Sequence, residues 1–460
     1  MFTNVKNFTK EDFLNFFILL LPASLIIGNL AVNINIVLIC FIGLAIYRFG
    51  IFKINRDIAA WLLCAFFLYL ILITLINNVA NTAAVNTNTE TSVEFLLSGQ
   101  IKSGYINNAN IGILYKEHIF KSFFFLRFLI FFLVISKFVE NNKLNYKFFF
   151  IFSAFLSFLV AIDVFINLTL DKDFIDRSFI RYFTDFFGSE NIAGGYIQKF
   201  SLFFTFSLIL FLSISKNKKL VFFTGSFIFF LWSIIASGNR MPLLLYFSSF
   251  LVFMIIDKEF RKYLILFLFL FLIIITSILK FLPTSMPSTK IVSFIGSATE
   301  IIKIAPEVFY YGKLHNQERK TFASGHLVTF NSGVQVWKEN KIFGGGLKSF
   351  RINCKQDYKY QVCNTHPHNY LIEILVDVGL VGFVFIYLTF AIVIINFFRS
   401  YLNNIDTNLR FIPIPFFLVF FFEVFPFRSS GSFFTTSSAV IIFLTMAVVN
   451  SYYKNNISVK

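Results

Sequence analysis

Long apolar runs, broken by short polar connections, recur along most of this chain. A hydrocarbon layer about 30 Å thick is crossed by about 20 apolar residues in a helix. On that scale the pattern predicts about twelve spans, near residues 12–29, 33–47, 58–76, 122–138, 148–169, 199–215, 220–236, 241–256, 263–281, 377–397, 411–425 and 435–452. The fold class expected is an all-α polytopic membrane protein. Residues 1–281 carry the first nine helices, 282–368 form a large polar loop with short helices of its own, and 369–460 carry the last three. The first span follows Lys6 and Lys10, but it is too long for a signal-peptide core and a second span follows directly, so it reads as a retained helix.

Composition agrees. The 460 residues are 57% hydrophobic and 14% charged, with mean hydropathy +0.75, which excludes a soluble domain of this size. The 71 phenylalanines read as compositional bias that a lipid-facing surface tolerates.

The net charge of +16 raises nucleic acid as a partner, until the position of the charge is considered. Lys6 and Lys10, then Arg48, Lys53 and Arg56, then Lys137, Lys143 and Lys147 lie on alternate connections. So do Lys216, Lys218 and Lys219, then Lys258, Arg261 and Lys262, then Arg399 and Arg410, and finally Lys454 and Lys460. Basic connections stay in the cytoplasm, so both termini are expected inside. Topology then accounts for the charge. No binding module is present, and no nucleic-acid partner is expected. Three long connections fall outside: 77–121, 170–198 and 282–368. The second carries Asp171, Lys172, Asp173, Asp176, Arg177 and Arg181.

Cys40 and Cys64 fall in spans and read as core fillers. Cys354 and Cys363 lie nine residues apart in the outer loop, where an oxidising compartment favours a disulfide over two free thiols. Closing that loop would restrain the unfolded chain by roughly 2–3 kcal/mol and hold the nearby His366 and His368.

Charged groups inside spans are costly and usually functional. Arg127, Asp163, Lys280 and Glu423 sit in or at the ends of apolar runs, all toward the outer face; Lys280 reads as snorkelling. Arg240 occupies the short outer turn Ser237-Gly238-Asn239-Arg240, which needs no solubilising cation. At the same face, His368 and Asn369 sit where the polar loop meets an apolar helix. His368 there is either a proton acceptor working near neutral pH or a loop residue at a helix start. Asn369 suits an N-cap. Glu373 and Asp377, four apart on one helix face, either orient the imidazole or a sugar or solvate the helix end. Arg240 with Arg351, helped by Lys348, has the forked chemistry that holds a diphosphate, and Arg428 is a third outer cation. His366 and His368 lack the ligand density of a metal site, so no metal and no cofactor are expected.

His368-Asn369, nine residues, then Gly379-Leu380-Val381-Gly382 resembles the His-Asn-x9-Gly-x-x-Gly pattern of the O-antigen ligase and polysaccharide polymerase superfamily. The Ser-x-x-Arg turn at 237–240 and the segment from Trp337 to Leu347 resemble that family too. The resemblance implies a GT-C-like, metal-independent, inverting glycosyltransferase of the bacterial inner membrane. It would move a glycan from undecaprenyl-diphosphate to lipid A-core, or to another glycan if a polymerase, at the periplasmic face. His368 would be the base and Arg240 would hold the diphosphate. Relatives carry an arginine upstream of the tryptophan segment where this chain has His326 in Ser324-Gly325-His326-Leu327; His326, Arg351 or Arg319 would take that part. Gly379 and Gly382 are expected to let helices pack closely. A polytopic transporter remains the alternative from another class. It is disfavoured because the polar groups gather at one surface rather than at the midplane.

Overall fold

A computed structural model of the protein describes residues 9–54, 57–85, 95–97, 100–102, 108–170, 185–187, 192–212, 215–281, scattered positions between 283 and 299, 325–354, 363–403 and 408–452. The chain there is helical, apart from one hairpin pairing Phe95–Leu97 with Gln100–Lys102. Eight helices among the described residues are long and apolar enough to cross a membrane: Asn29–Phe52, Ile58–Asn77, Glu117–Glu140, Tyr146–Asn167, Ala193–Phe211, Asn217–Ala236, Leu264–Phe281 and Tyr370–Leu402. Arg240–Ile256, Thr436–Ser451 and Pro413–Glu423 are shorter apolar helices packed among them.

The first apolar run is two helices. Lys10–Leu19 starts at a Thr9/Asp12 capping box, and a break at Leu20 precedes Leu21–Ile27. Pro22 lies in the first turn of the second helix; it has no N–H to continue the ladder. The run read as 377–397 also differs. Its helix begins at Tyr370 and extends to Asn403, and Gly379 interrupts it with φ 61° and ψ −166°.

Loop backbone fills that interruption. The Gly345 and Gly346 N–H groups donate to the carbonyls of Val376 (2.9 Å) and Asp377 (2.8 Å). In return Leu380 and Val381 donate to the carbonyls of Lys341 (2.9 Å) and Ile342 (3.1 Å). A broken helix exposes backbone groups that lipid cannot satisfy, and here the outer loop satisfies them. A Cβ on Gly379 would stand 2.3 Å from the Ile342 oxygen. Gly379 therefore admits a loop rather than packing two helices, which corrects the sequence expectation. Gly382 keeps the expected role: a Cβ there would approach Tyr69 of the Ile58–Val85 helix to 3.1 Å.

Phenylalanines build much of the core. Phe397 stacks on Phe417 at 3.8 Å, and Phe128 and Phe443 stack at 5.7 Å. Other large apolar side chains, including Ile265, Leu30 and Phe41, face outward, as a lipid-covered surface requires.

One contact orients the bundle. The Tyr401 hydroxyl donates to Asp257 at 2.8 Å, and Arg410 pairs with the same carboxylate at 3.2 Å. These groups lie at the far ends of the helices that start at Arg240 and Tyr370. The two starts therefore point toward the same end of the bundle.

Candidate active site

Asn369 starts the long helix, as expected of a cap: its Oδ1 accepts from the Ile372 N–H at 3.0 Å. Its Nδ2 also donates to the carbonyls of Pro426 (2.7 Å) and Arg428 (2.9 Å), and the Ser430 N–H donates to the His368 carbonyl at 2.8 Å. This clamp holds His368 at φ 56°, a conformation costing a residue with a side chain about 1–3 kcal/mol.

Three imidazoles then meet. The ring of His368 lies 4.2 Å from that of His366 and 5.2 Å from that of His326. His326 comes from the helix Gly325–Glu339 and the other two from the loop before Tyr370. Asn364 Nδ2 is 3.4 Å from His368 Nε2, and Thr365 Oγ1 is 3.0 Å from His366 Nδ1. His366 Nε2 is buried and has no hydrogen-bond partner among the described residues. Burial holds all three below the ordinary histidine range. His366 falls to about 4, with His368, Arg351 and Lys348 adding to the effect. His326 is lowered by burial and then by Arg240, and His368 by burial and then by His326. All three are therefore neutral at pH 7, with lone pairs able to take a proton.

Arg240, the first residue of its helix, lies within electrostatic reach of His326. Gly238 turns the chain at φ 70°, and Asn239 Oδ1 accepts from the Gly194 N–H at 2.8 Å, pinning the turn to the start of the Ala193–Phe211 helix. The guanidinium forms no ion pair with a described residue. Lys348 and Arg351 stand on the other side, next to His366. Arg351 Nε donates to the Thr365 carbonyl at 3.0 Å. Lys348 has φ 60°, and its N–H donates to Asp377 at 2.7 Å, beside the Ser349 N–H at 3.0 Å. Burial, then the Arg351 and Lys121 cations, lower the proton affinity of the Lys348 ammonium. Cys354 and Cys363 are bonded, with Cα atoms 5.6 Å apart, which ties the Phe350–Asn353 helix to the histidine loop.

Other residues take structural places. The Glu373 carboxylate is buried, accepting from the Ser432 hydroxyl and the Phe433 N–H (2.6 Å). It neither reaches an imidazole nor solvates the helix end. Asp377 likewise caps backbone N–H groups. Arg428 is not a free outer cation: it pairs with buried Glu423 at 3.2 Å, which also pairs with Lys199 at 3.1 Å. Arg127 reaches Asn33 (2.8 Å) and Thr436 (3.1 Å) and staples three helices. Arg319 lies outside the described residues, as do Arg56, Lys6, Lys454, Lys460 and the charges of 171–181.

Sequence reasoning missed Lys199 and His118. Lys199 sits at the start of an apolar run, and its charge was the available signal. His118 is buried within electrostatic reach of Lys348 and Arg351, and nothing in its local sequence marks it. No group of three His, Cys, Asp or Glu side chains among the described residues could hold a metal ion.

This arrangement offers neutral imidazoles to take a proton and cations, unpaired with any described carboxylate, to hold an anion. No curated protein matches the chain. The family model described as O-Antigen ligase matches residues 225–387, a stretch that contains Arg240, His326, Lys348, Arg351, His366 and His368. The match assigns residues 225–387 to the O-antigen ligase model, and the eight long apolar helices suit a multi-pass membrane protein.

Proposed function

We propose that the protein is an O-antigen ligase-like glycosyltransferase, moving a glycan from undecaprenyl-diphosphate to a hydroxyl of lipid A-core at the periplasmic face of the inner membrane. The observation that carries this reading is the row of neutral imidazoles beside Arg240, at the bundle end opposite Asp257 and Arg410. The acceptor oxygen attacks the anomeric carbon while the bond from that carbon to the diphosphate oxygen breaks. His368 takes the acceptor proton, a service worth about 10²–10⁴-fold. Arg240 holds the diphosphate by paired, charge-assisted hydrogen bonds as negative charge grows on the leaving oxygen. The leaving group departs readily once neutralised, so fixed cations and positioning meet the need without a metal. The far-end cations Lys258, Arg261, Lys262 and Arg410 support a cytoplasmic location for that end.

Deletion followed by gel analysis of lipopolysaccharide tests the reading. Loss of long chains from lipid A-core, with carrier-linked polymer accumulating, is the expected result. A core bearing a single repeat unit would instead mark a polymerase using the same donor. Unaltered lipopolysaccharide, or full complementation by a His368→Ala, Arg240→Ala double variant, would refute the mechanism.

A further inference from the structure

The cations at the outer end are of two kinds. Arg428 and Lys199 are neutralised by Glu423, and Lys121 pairs with Glu117 one helical turn away. Arg240, Lys348 and Arg351 form no ion pair with a described residue. The carboxylates nearest Lys348 are already engaged. Asp377 accepts from the Lys348 and Ser349 N–H groups and the Ser349 hydroxyl, and Glu373 from Ser432 and Phe433. Lys348 is half-buried, and a partly desolvated cation without a bonded counter-ion costs free energy that a bound anion returns; Arg351 is exposed and reachable beside it.

The free cations also stand on two sides. Arg240 lies within electrostatic reach of His326, Arg351 and Lys348 lie within reach of His366, and His368 is in ring contact with both histidines. Ring separations of 5.2 and 4.2 Å set the imidazole row, and the Arg351–Thr365 bond sets its far end. Arg240 acts on His326, whereas Arg351 and Lys348 act on His366. In a displacement the nucleophile and leaving group lie on opposite sides of the reacting carbon. A base that takes the nucleophile's proton therefore lies on the acceptor's side of that carbon, away from the diphosphate. If Arg240 holds the diphosphate, the Lys348 side faces the acceptor. The buried Nε2 of His366, without a partner among the described residues, lies on that side as well.

We propose that Lys348 and Arg351, with His366, form a second anion subsite that takes a phosphate group of the acceptor glycan. This inference rests on the transferase reading and adds the class of acceptor: a sugar phosphorylated near the hydroxyl that is glycosylated. Lys348 and Arg351 then leave the diphosphate site to which the sequence assigned them.

The test uses the full chain in lipid nanodiscs, with lipid A-core acceptor in its phosphorylated form and after chemical removal of phosphate. The wild type should prefer the phosphorylated acceptor at least about tenfold in KM, the loss expected when a charge-assisted bond is deleted. In Lys348→Ala, Arg351→Ala that preference should vanish while the donor KM is unchanged; Arg351→Lys should restore part of it. A rise in donor KM in the double variant, or a wild type indifferent to acceptor phosphate, overturns the proposal. Binding of inorganic phosphate to the same nanodiscs gives a readout that needs no turnover. Arg240→Ala should keep at least part of that binding and the Lys348→Ala, Arg351→Ala variant should weaken it at least about tenfold. Unchanged phosphate binding in the latter overturns the subsite. Complete inactivity of the wild type on lipid-linked donors would sink the transferase reading instead.

Discussion

The ring of His326 meets the ring of His368 edge to face at 5.2 Å, across a chain separation that spans most of the second half of the outer loop. His326 disfavours a proton on His368, and burial disfavours one on both rings. The sign follows directly. A base with a lowered pKa stays neutral as pH falls through the usual histidine value, about 6.5. The acid limb of kcat/KM should therefore lie below that value. His326→Gln should move the limb upward, toward 6.5, with kcat at pH 8 changed less than kcat/KM at pH 6. A limb that stays in place would separate the two rings functionally.

His368→Ala should lower kcat by about 10²–10⁴-fold, the usual contribution of a positioned base. The Asn369 cap does not involve residue 368 and the Ser430 N–H uses only its backbone carbonyl, so the fold should survive. Thermal unfolding in detergent, measured beside turnover, checks both halves of this expectation.

Arg240→Ala should reduce donor kcat/KM by about 10–100-fold, the worth of a lost charge-assisted hydrogen bond. Arg240→Lys should recover only part, because an ammonium cannot present two parallel donors. Initial rates at varied donor concentration decide it; equal loss for donor and acceptor would argue against a donor-specific role.

Glu423→Ala leaves the buried Arg428 and Lys199 without their carboxylate. The expected destabilisation is about 3–5 kcal/mol, as for removing one partner of a buried ion pair. The Pro426–Ser430 clamp on Asn369 and His368 should loosen with it. Denaturation in detergent checks the first expectation and the acid limb of the rate profile the second.

Gly379→Ala drives a Cβ to 2.3 Å from the Ile342 carbonyl oxygen and 2.5 Å from the Gly344 nitrogen at a left-handed φ, and both atoms are backbone that cannot turn aside. Folded protein should be strongly reduced. Gly225→Ala, where a Cβ meets nothing within 4 Å, is the matched control and should accumulate normally. Membrane-extracted yield by size-exclusion chromatography distinguishes them.

Much of this protein was legible along the chain because a bilayer makes simple demands. Backbone must be helical in lipid, so apolar run length marked helices such as Asn217–Ala236 and Leu264–Phe281 closely. The Asn369 cap was legible because capping is local, and the His-Asn-x9-Gly-x-x-Gly spacing because it is a linear pattern. Contacts between distant segments were not. The sequence could not show that the Gly344–Gly346 backbone enters the break at Gly379, since that depends on a hydrogen-bond exchange between separate segments. Nor could it tell free cations from paired ones: Arg428 and Arg240 look alike until Glu423 is found beside the first. Periodicity and charge placement are properties of single elements, and the chain order carries them. The row of His326, His368 and His366 between two sets of cations is a property of packing, which only the fold's competition for buried contacts decided.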